Sequence, residues 1–139
     1  MDKRFIISEI LKVVTAQYDH ALEVVASSDQ LIKSGDLKAE SKWDTRAIEA
    51  GYLASAQKKR LKELEMELIS LKNLEKNISS TDDISLGALI TTDSKTYIIT
   101  ALTGGFKVKF KQNEVQVISL SAPIVKKLRD DEIEIINIE

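Results

Sequence analysis

Asp36, Glu40 and Asp44 recur at intervals of four within the stretch Ser34-Gly35-Asp36-Leu37-Lys38-Ala39-Glu40-Ser41-Lys42-Trp43-Asp44. On a helix that spacing puts all three carboxylates on one face, where like charges four apart cost roughly 0.2–0.5 kcal/mol per pair. Folding has no use for that cost. Carboxylate oxygens ligate hard divalent cations and orient the water bound to them. The row therefore reads as a set of carboxylates offered to another molecule's cation. The bland alternative is a solvated helical face.

Composition removes most other chemistry. The chain has 139 residues, is 43% hydrophobic and 30% charged, and contains one Pro, which fits one or two small globular domains. It has no Cys, so disulfides, thiolate catalysis and zinc–thiolate sites are excluded. One His (His20, expected on a helix surface) leaves no room for a two-His metal site or a Ser–His pair. No apolar run nears the roughly 20 residues that span a bilayer, and Met1-Asp2-Lys3-Arg4 leads into an amphipathic pattern, not a signal peptide. The expectation is a cytoplasmic protein without a membrane segment. The net charge of −2 gives no bulk attraction to nucleic acid. It arises after residue 80, where nine acids meet seven bases; residues 1–80 hold 13 of each.

Two long helices should position the acidic stretch. Ile7, Leu11, Val14, Tyr18, Ala21, Val25 and Ile32 follow a 3–4 spacing with a gap at Ser28. Ala47, Ala50, Ala54, Leu61, Leu64, Leu68, Leu71 and Ile78 do the same, with Gln57 and Glu75 at seam positions. This predicts an antiparallel coiled-coil hairpin over 1–78, each helix about 45 Å long at 1.5 Å per residue, with the acids at 34–46 as its tip. Gly35 suits the position just after the first helix. Small residues near the tip allow close approach there, and leucines fill the base.

The polar run Asn77-Ile78-Ser79-Ser80-Thr81-Asp82-Asp83 then separates an Ala/Leu/Lys/Glu-rich half from a Val/Ile/Thr-rich half. It places a linker at 79–83 and a second domain at 84–139. Leu86–Thr92 and Thr96–Leu102 flank a turn at Asp93-Ser94-Lys95. Phe106, Val108 and Phe110 alternate with Lys107, Lys109 and Lys111, the pattern of a half-buried strand whose lysines guard an edge. Val115–Leu120 reads as a strand, Pro123–Leu128 as a short helix capped by Ser121, and Ile133, Ile135 and Ile138 as a last strand. Gly104-Gly105 is a turn without a phosphate-loop context. The fold class expected is α+β: a helical hairpin plus a small antiparallel β domain with one helix.

Gly35-Asp36-Leu37-Lys38 followed by Trp43, then Gly51-Tyr52, then Lys111-Gln112-Asn113, Ile118-Ser119 and Ser121-Ala122-Pro123-Ile124 with Leu128, resembles the bacterial transcript-cleavage factors GreA and GreB in the same order along most of the chain. The resemblance implies an FKBP-like C-terminal domain docking at the rim of the RNA polymerase secondary channel through Ser119, Ser121, Pro123 and Ile124. It implies a coiled coil entering the channel, and tip acids (Asp36 and Glu40 first, Asp44 third) helping to hold a magnesium ion that belongs to the polymerase. Backtracked RNA is then cut by the polymerase's own site, with the RNA 3′ end near the tip. On this reading the protein is an accessory factor and not itself an enzyme, has no cofactor of its own, and acts as a monomer.

Two departures qualify that implication. The family's tip carries a second acid three residues after the first, where this chain has Ala39; Glu40 sits one residue on, rotated about 100° around a helix. The family's last β-hairpin is absent, and its Gly-Lys-Gly-Asp-like turn is reduced to Arg129-Asp130-Asp131-Glu132. Both bear on cleavage more than on channel binding. A non-cleaving modulator or inhibitor of the same channel therefore stays open, as does a coiled-coil adaptor unrelated to transcription. Trp43 suits either stacking in a partner or a staple across the hairpin. The run Lys58-Lys59-Arg60 with Lys62 reads first as a solvated face, and second as a contact with RNA or polymerase acids.

Overall fold

A computed structural model describes residues 2–33, 45–78, 82–102 and 105–139. The layout is α+β. Helix α1 (Lys3–Lys33) and helix α2 (Thr45–Lys76) contact each other, and are followed by β1 (Leu89–Thr92), β2 (Thr96–Thr100), β3 (Phe106–Phe110), β4 (Asn113–Ser119), helix α3 (Pro123–Arg129) and β5 (Ile135–Ile138). Among the described residues no helix is long and apolar enough to cross a membrane.

The strand order is β3-β4-β2-β1-β5. Three of the four pairings are antiparallel, as the alternation predicts; β2 and β4 run parallel, with Thr96 opposite Val115 and Thr100 opposite Ser119. The parallel pair arises because the β3–β4 hairpin folds back and inserts its second strand beside β2. Its turn is tight: Phe110 pairs with Asn113, and Lys111 takes a left-handed φ of 56°. The β1–β2 turn is closed by Thr92, whose N–H reaches the Lys95 carbonyl at 2.8 Å and whose hydroxyl receives the Lys95 N–H at 3.1 Å.

Central strand β2 is buried along its whole length, so both faces of the sheet need cover. On one face Ile90, Tyr97, Ile99 and Ile118 cluster with Val125 and Leu128 of α3. The other face carries Leu89, Ile98, Val115 and Val117, none more than 2% exposed. That face meets the ends of the long helices: Phe5 and Phe110 stack at 5.4 Å with a 60° tilt, and the Lys3 ammonium donates to the Glu139 carbonyl at 2.9 Å. Burial lowers the Lys3 ammonium below the usual lysine value, against the opposing pull of Glu139.

The chain divides into two compact units, Met1–Lys12 with Glu67–Glu139, and Val13–Met66. The change from helix to strand falls near the expected linker, but the compact unit around the sheet takes in both helix ends. The 3–4 pattern singled out Ile7, Leu68 and Leu71, which are buried; the structure adds Ile6 and Ile10, which form a second stripe on α1. The physical reason is size. A segment near 60 residues buries only about 60% of its unfolded surface, and α3 covers one face alone. We expect residues 84–139 expressed alone to give no cooperative thermal transition, whereas the full chain melts cooperatively; a sharp transition from the fragment would refute this account of the core.

Gly87 ties the same unit together. Its φ is +87°, its N–H donates to Ile99 at 2.8 Å, and a Cβ added there would lie 3.2 Å from Leu74 Cδ2. Left-handed backbone costs an L-residue roughly 1–2 kcal/mol. Gly87→Ala is expected to destabilise the protein by about that amount, measured by denaturant unfolding.

Candidate functional site

Asp36, Glu40 and Asp44, the predicted tip and metal-orienting acids, lie outside the described residues, as do Trp43 and Ala39. The helices that flank them are described. Within the unit Val13–Met66, the Ser28 hydroxyl donates to Gln57 Oε1 at 2.6 Å, across 29 residues of chain. Ser28 is the gap in the first seam and Gln57 a polar intruder in the second, so two of the three exceptions to the apolar pattern satisfy each other, Glu75 being the third. Ala54 and Leu64 are buried in the same unit. Pairs that share the Ser28–Gln57 sum, such as Ala21 with Leu64, fall at equal heights on antiparallel helices, and Val25 with Leu61 lies within one residue of it.

Beyond this seam the surface of α2 is open. Tyr52 is 75% exposed, Leu53 and Ile48 are also exposed, and a Cβ added at Gly51 would meet nothing within 4 Å. Lys58, Lys59 and Lys62 are exposed, and Arg60 pairs with Glu63 at 3.4 Å on the surface. This is the solvated basic face expected from the sequence. His20 is exposed as well.

The predicted docking segment lies at the start of α3. Ser119 is half-buried, Ser121 and Pro123 are exposed, and Ile124 is half-buried against the core cluster. The capping expectation needs correction. Ala122 occupies the N-cap position, with no side-chain cap, and Pro123 stands in the first turn. Ser121 turns back instead: its hydroxyl lies 2.9 Å from that of Ser119, and its N–H donates to Ser119 Oγ at 3.2 Å. Proline removes one of the N–H groups a cap would serve, and the competing local bond is shorter in sequence. Ser119 thus organises the loop, and its carbonyl also receives the Ala122 N–H at 3.0 Å.

Helix α3 ends in a motif the sequence disguised. Asp131 takes φ 56°, its N–H bonds the Leu128 carbonyl at 3.3 Å, and the Glu132 N–H bonds the Lys127 carbonyl at 3.1 Å. This is the Schellman pattern with Asp where Gly is usual.

Beside the β1–β2 and β3–β4 turns lies a polar depression of about 480 Å³ lined in part by Asp93, Lys95, Lys107, Glu114 and Gln116. Lys107 and Glu114 approach to 4.0 Å, and both are more than half exposed. The formal charges there cancel, so it has no preference for an ion of either sign. Among the described residues no three His, Asp or Glu side chains group in a way that holds a metal ion.

Against profiles of known families, curated proteins and solved structures, this chain has no match. Ser119→Ala removes the hydroxyl that bonds both the hydroxyl and the N–H of Ser121, at an expected cost of about 0.5–1 kcal/mol. The Ser121 amide should then exchange with deuterium distinctly faster than in the parent; unchanged exchange would show that Ser119 does not hold the loop.

Proposed function

We propose that this chain is a Gre-like accessory factor that binds RNA polymerase through its secondary channel and offers the carboxylates of residues 34–44 to the polymerase's catalytic centre. The observation that carries this reading is the antiparallel pairing at Ser28–Gln57. It brings the end of α1 and the start of α2, the two flanks of Asp36, Glu40 and Asp44, to the same end of a hairpin. Helices of 31 and 32 residues are about 46 and 48 Å long at 1.5 Å per residue, the scale of a reach into a deep channel. The docking surface on this reading is the Ser119–Leu128 segment, with its loop ordered by the serine pair.

The chemistry of the donors suits the role. Carboxylate oxygens are the ligands magnesium takes, commonly one or two alongside bound waters. A polymerase-held magnesium ion supplies water activation and charge stabilisation at the RNA phosphate. This chain's part is to place Asp36 first, with Glu40 as its partner and Asp44 third, close to that centre and to the RNA 3′ end. The protein is then a donor of side chains, and the hydrolysis belongs to the polymerase. Ala39, in place of the second acid, favours one other reading: a channel binder that modulates the polymerase without cleavage.

Transcript cleavage on stalled complexes separates these. Asp36→Asn keeps shape and removes charge, so it is expected to abolish stimulation of cleavage, by at least 100-fold, with polymerase affinity nearly unchanged. Ala39→Glu is expected to raise cleavage. Wild-type protein that competes with a known channel binder yet never cleaves establishes the modulator. Protein that neither cleaves nor competes removes the polymerase reading and leaves a coiled-coil adaptor.

A further inference from the structure

We propose that Ser28 and Gln57 are positioning residues, whose bond fixes the height of α1 against α2 and so the height from which each end of segment 34–44 starts. The functional consequence rests on the proposed delivery of carboxylates; the alignment itself does not.

Three observations lead here. First, the apolar contacts of the seam within Val13–Met66 are non-directional. Ala21, Val25, Ala54, Leu61 and Leu64 are small or adaptable, and such contacts survive a slide of an ångström or two with little change. A hydroxyl-to-amide bond of 2.6 Å does not: a one-residue slide is about 1.5 Å and breaks it. Second, both groups are half-buried, and polar residues at a seam cost stability while specifying alignment. Third, the helices end asymmetrically about this bond. Lys33 lies five residues past Ser28, about 7.5 Å, and Thr45 twelve residues before Gln57, about 18 Å. The two flanks of the acidic segment therefore start roughly 10 Å apart in height. The chain between them does not enforce this offset, since twelve Cα–Cα steps span up to about 40 Å. Side chains that complete another molecule's catalytic centre tolerate little error, and a misplacement near 1 Å costs on the order of 100-fold. The Ser28–Gln57 bond is a directional contact between the helices at this end.

The absence of native cysteine makes the test clean. Ala26→Cys and Lys59→Cys, both at exposed positions, carry a spin-label pair in the full chain for distance measurement. The parent should give one narrow distance. Ser28→Ala, and separately Gln57→Leu, should at least double the width of the distribution. The conservative Ser28→Thr, and the swap Ser28→Gln with Gln57→Ser, should restore it. The same variants are assayed for cleavage or channel competition with polymerase. Ser28→Ala should lose about 10-fold or more, and the swap should recover most of it, with helicity by circular dichroism unchanged throughout. If Ser28→Ala and Gln57→Leu keep the parental width, the proposal is overturned. If a variant loses helicity, the swap and Ser28→Thr decide, and a width they fail to restore also overturns it. If widths respond as expected while the parent neither cleaves nor competes, alignment by this pair stands, and the polymerase reading fails on its own.

Discussion

The structure depends on covering both faces of strand β2. Every residue from Thr96 to Thr100 is buried, and a strand with no wet side requires two layers. Helix α3, seven residues long, supplies one with Val125 and Leu128. Among the described residues after 80, no other helix supplies the second. The ends of the long helices do so, through Phe5 on Phe110, Lys3 on Glu139 and the close approach of Leu74 to Gly87. The hairpin is therefore not an appendage to a finished domain. Its ends are part of the core that holds the strands.

The unit Val13–Met66 is built on a different principle. Its buried apolar side chains among the described residues are few, Val14, Ala54 and Leu64, and its outer surface exposes Tyr52, Leu53 and Ile48 beside a run of lysines. Where apolar area is small, a directional bond carries proportionately more of the definition of geometry. Ser28 and Gln57 provide it close to the stretch whose spacing of acids first suggests chemistry. The loop before α3 repeats the device on a smaller scale, with Ser119 holding Ser121 where a helix cap was expected. In both places a serine hydroxyl makes a directional bond.

Much of this was legible in the residues. Periodicity found both helices, and the alternation of Phe106–Phe110 with lysines found β3, because each pattern records a single buried face. The parallel pairing of β2 with β4 left no such mark, since a strand buried on both faces looks alike in either direction. Ile6 and Ile10 were missed because the seam pattern asks only about a helix partner, while α1 also meets a sheet. Ser121 looked like a cap because the pattern cannot tell whether a hydroxyl turns forward or back. Asp131 hid a helix stop, since glycine is the usual signal and aspartate pays a conformational cost that sequence does not display. The acids at 36, 40 and 44 rest on spacing and on the resemblance; the described structure supplies only their flanks.

The bond between Lys3 and Glu139 joins groups 136 positions apart. A chain made from its N-terminus holds its first twelve residues long before β5 exists to meet them. The hairpin's middle, Val13–Met66, consists of neighbours in a simple out-and-back path and can close early. The unit around the sheet has to wait for its strands, with Phe5 lacking Phe110 in the meantime. Its contacts are of the long-range kind that slow folding. Such exposed apolar surface is what chaperones bind during synthesis.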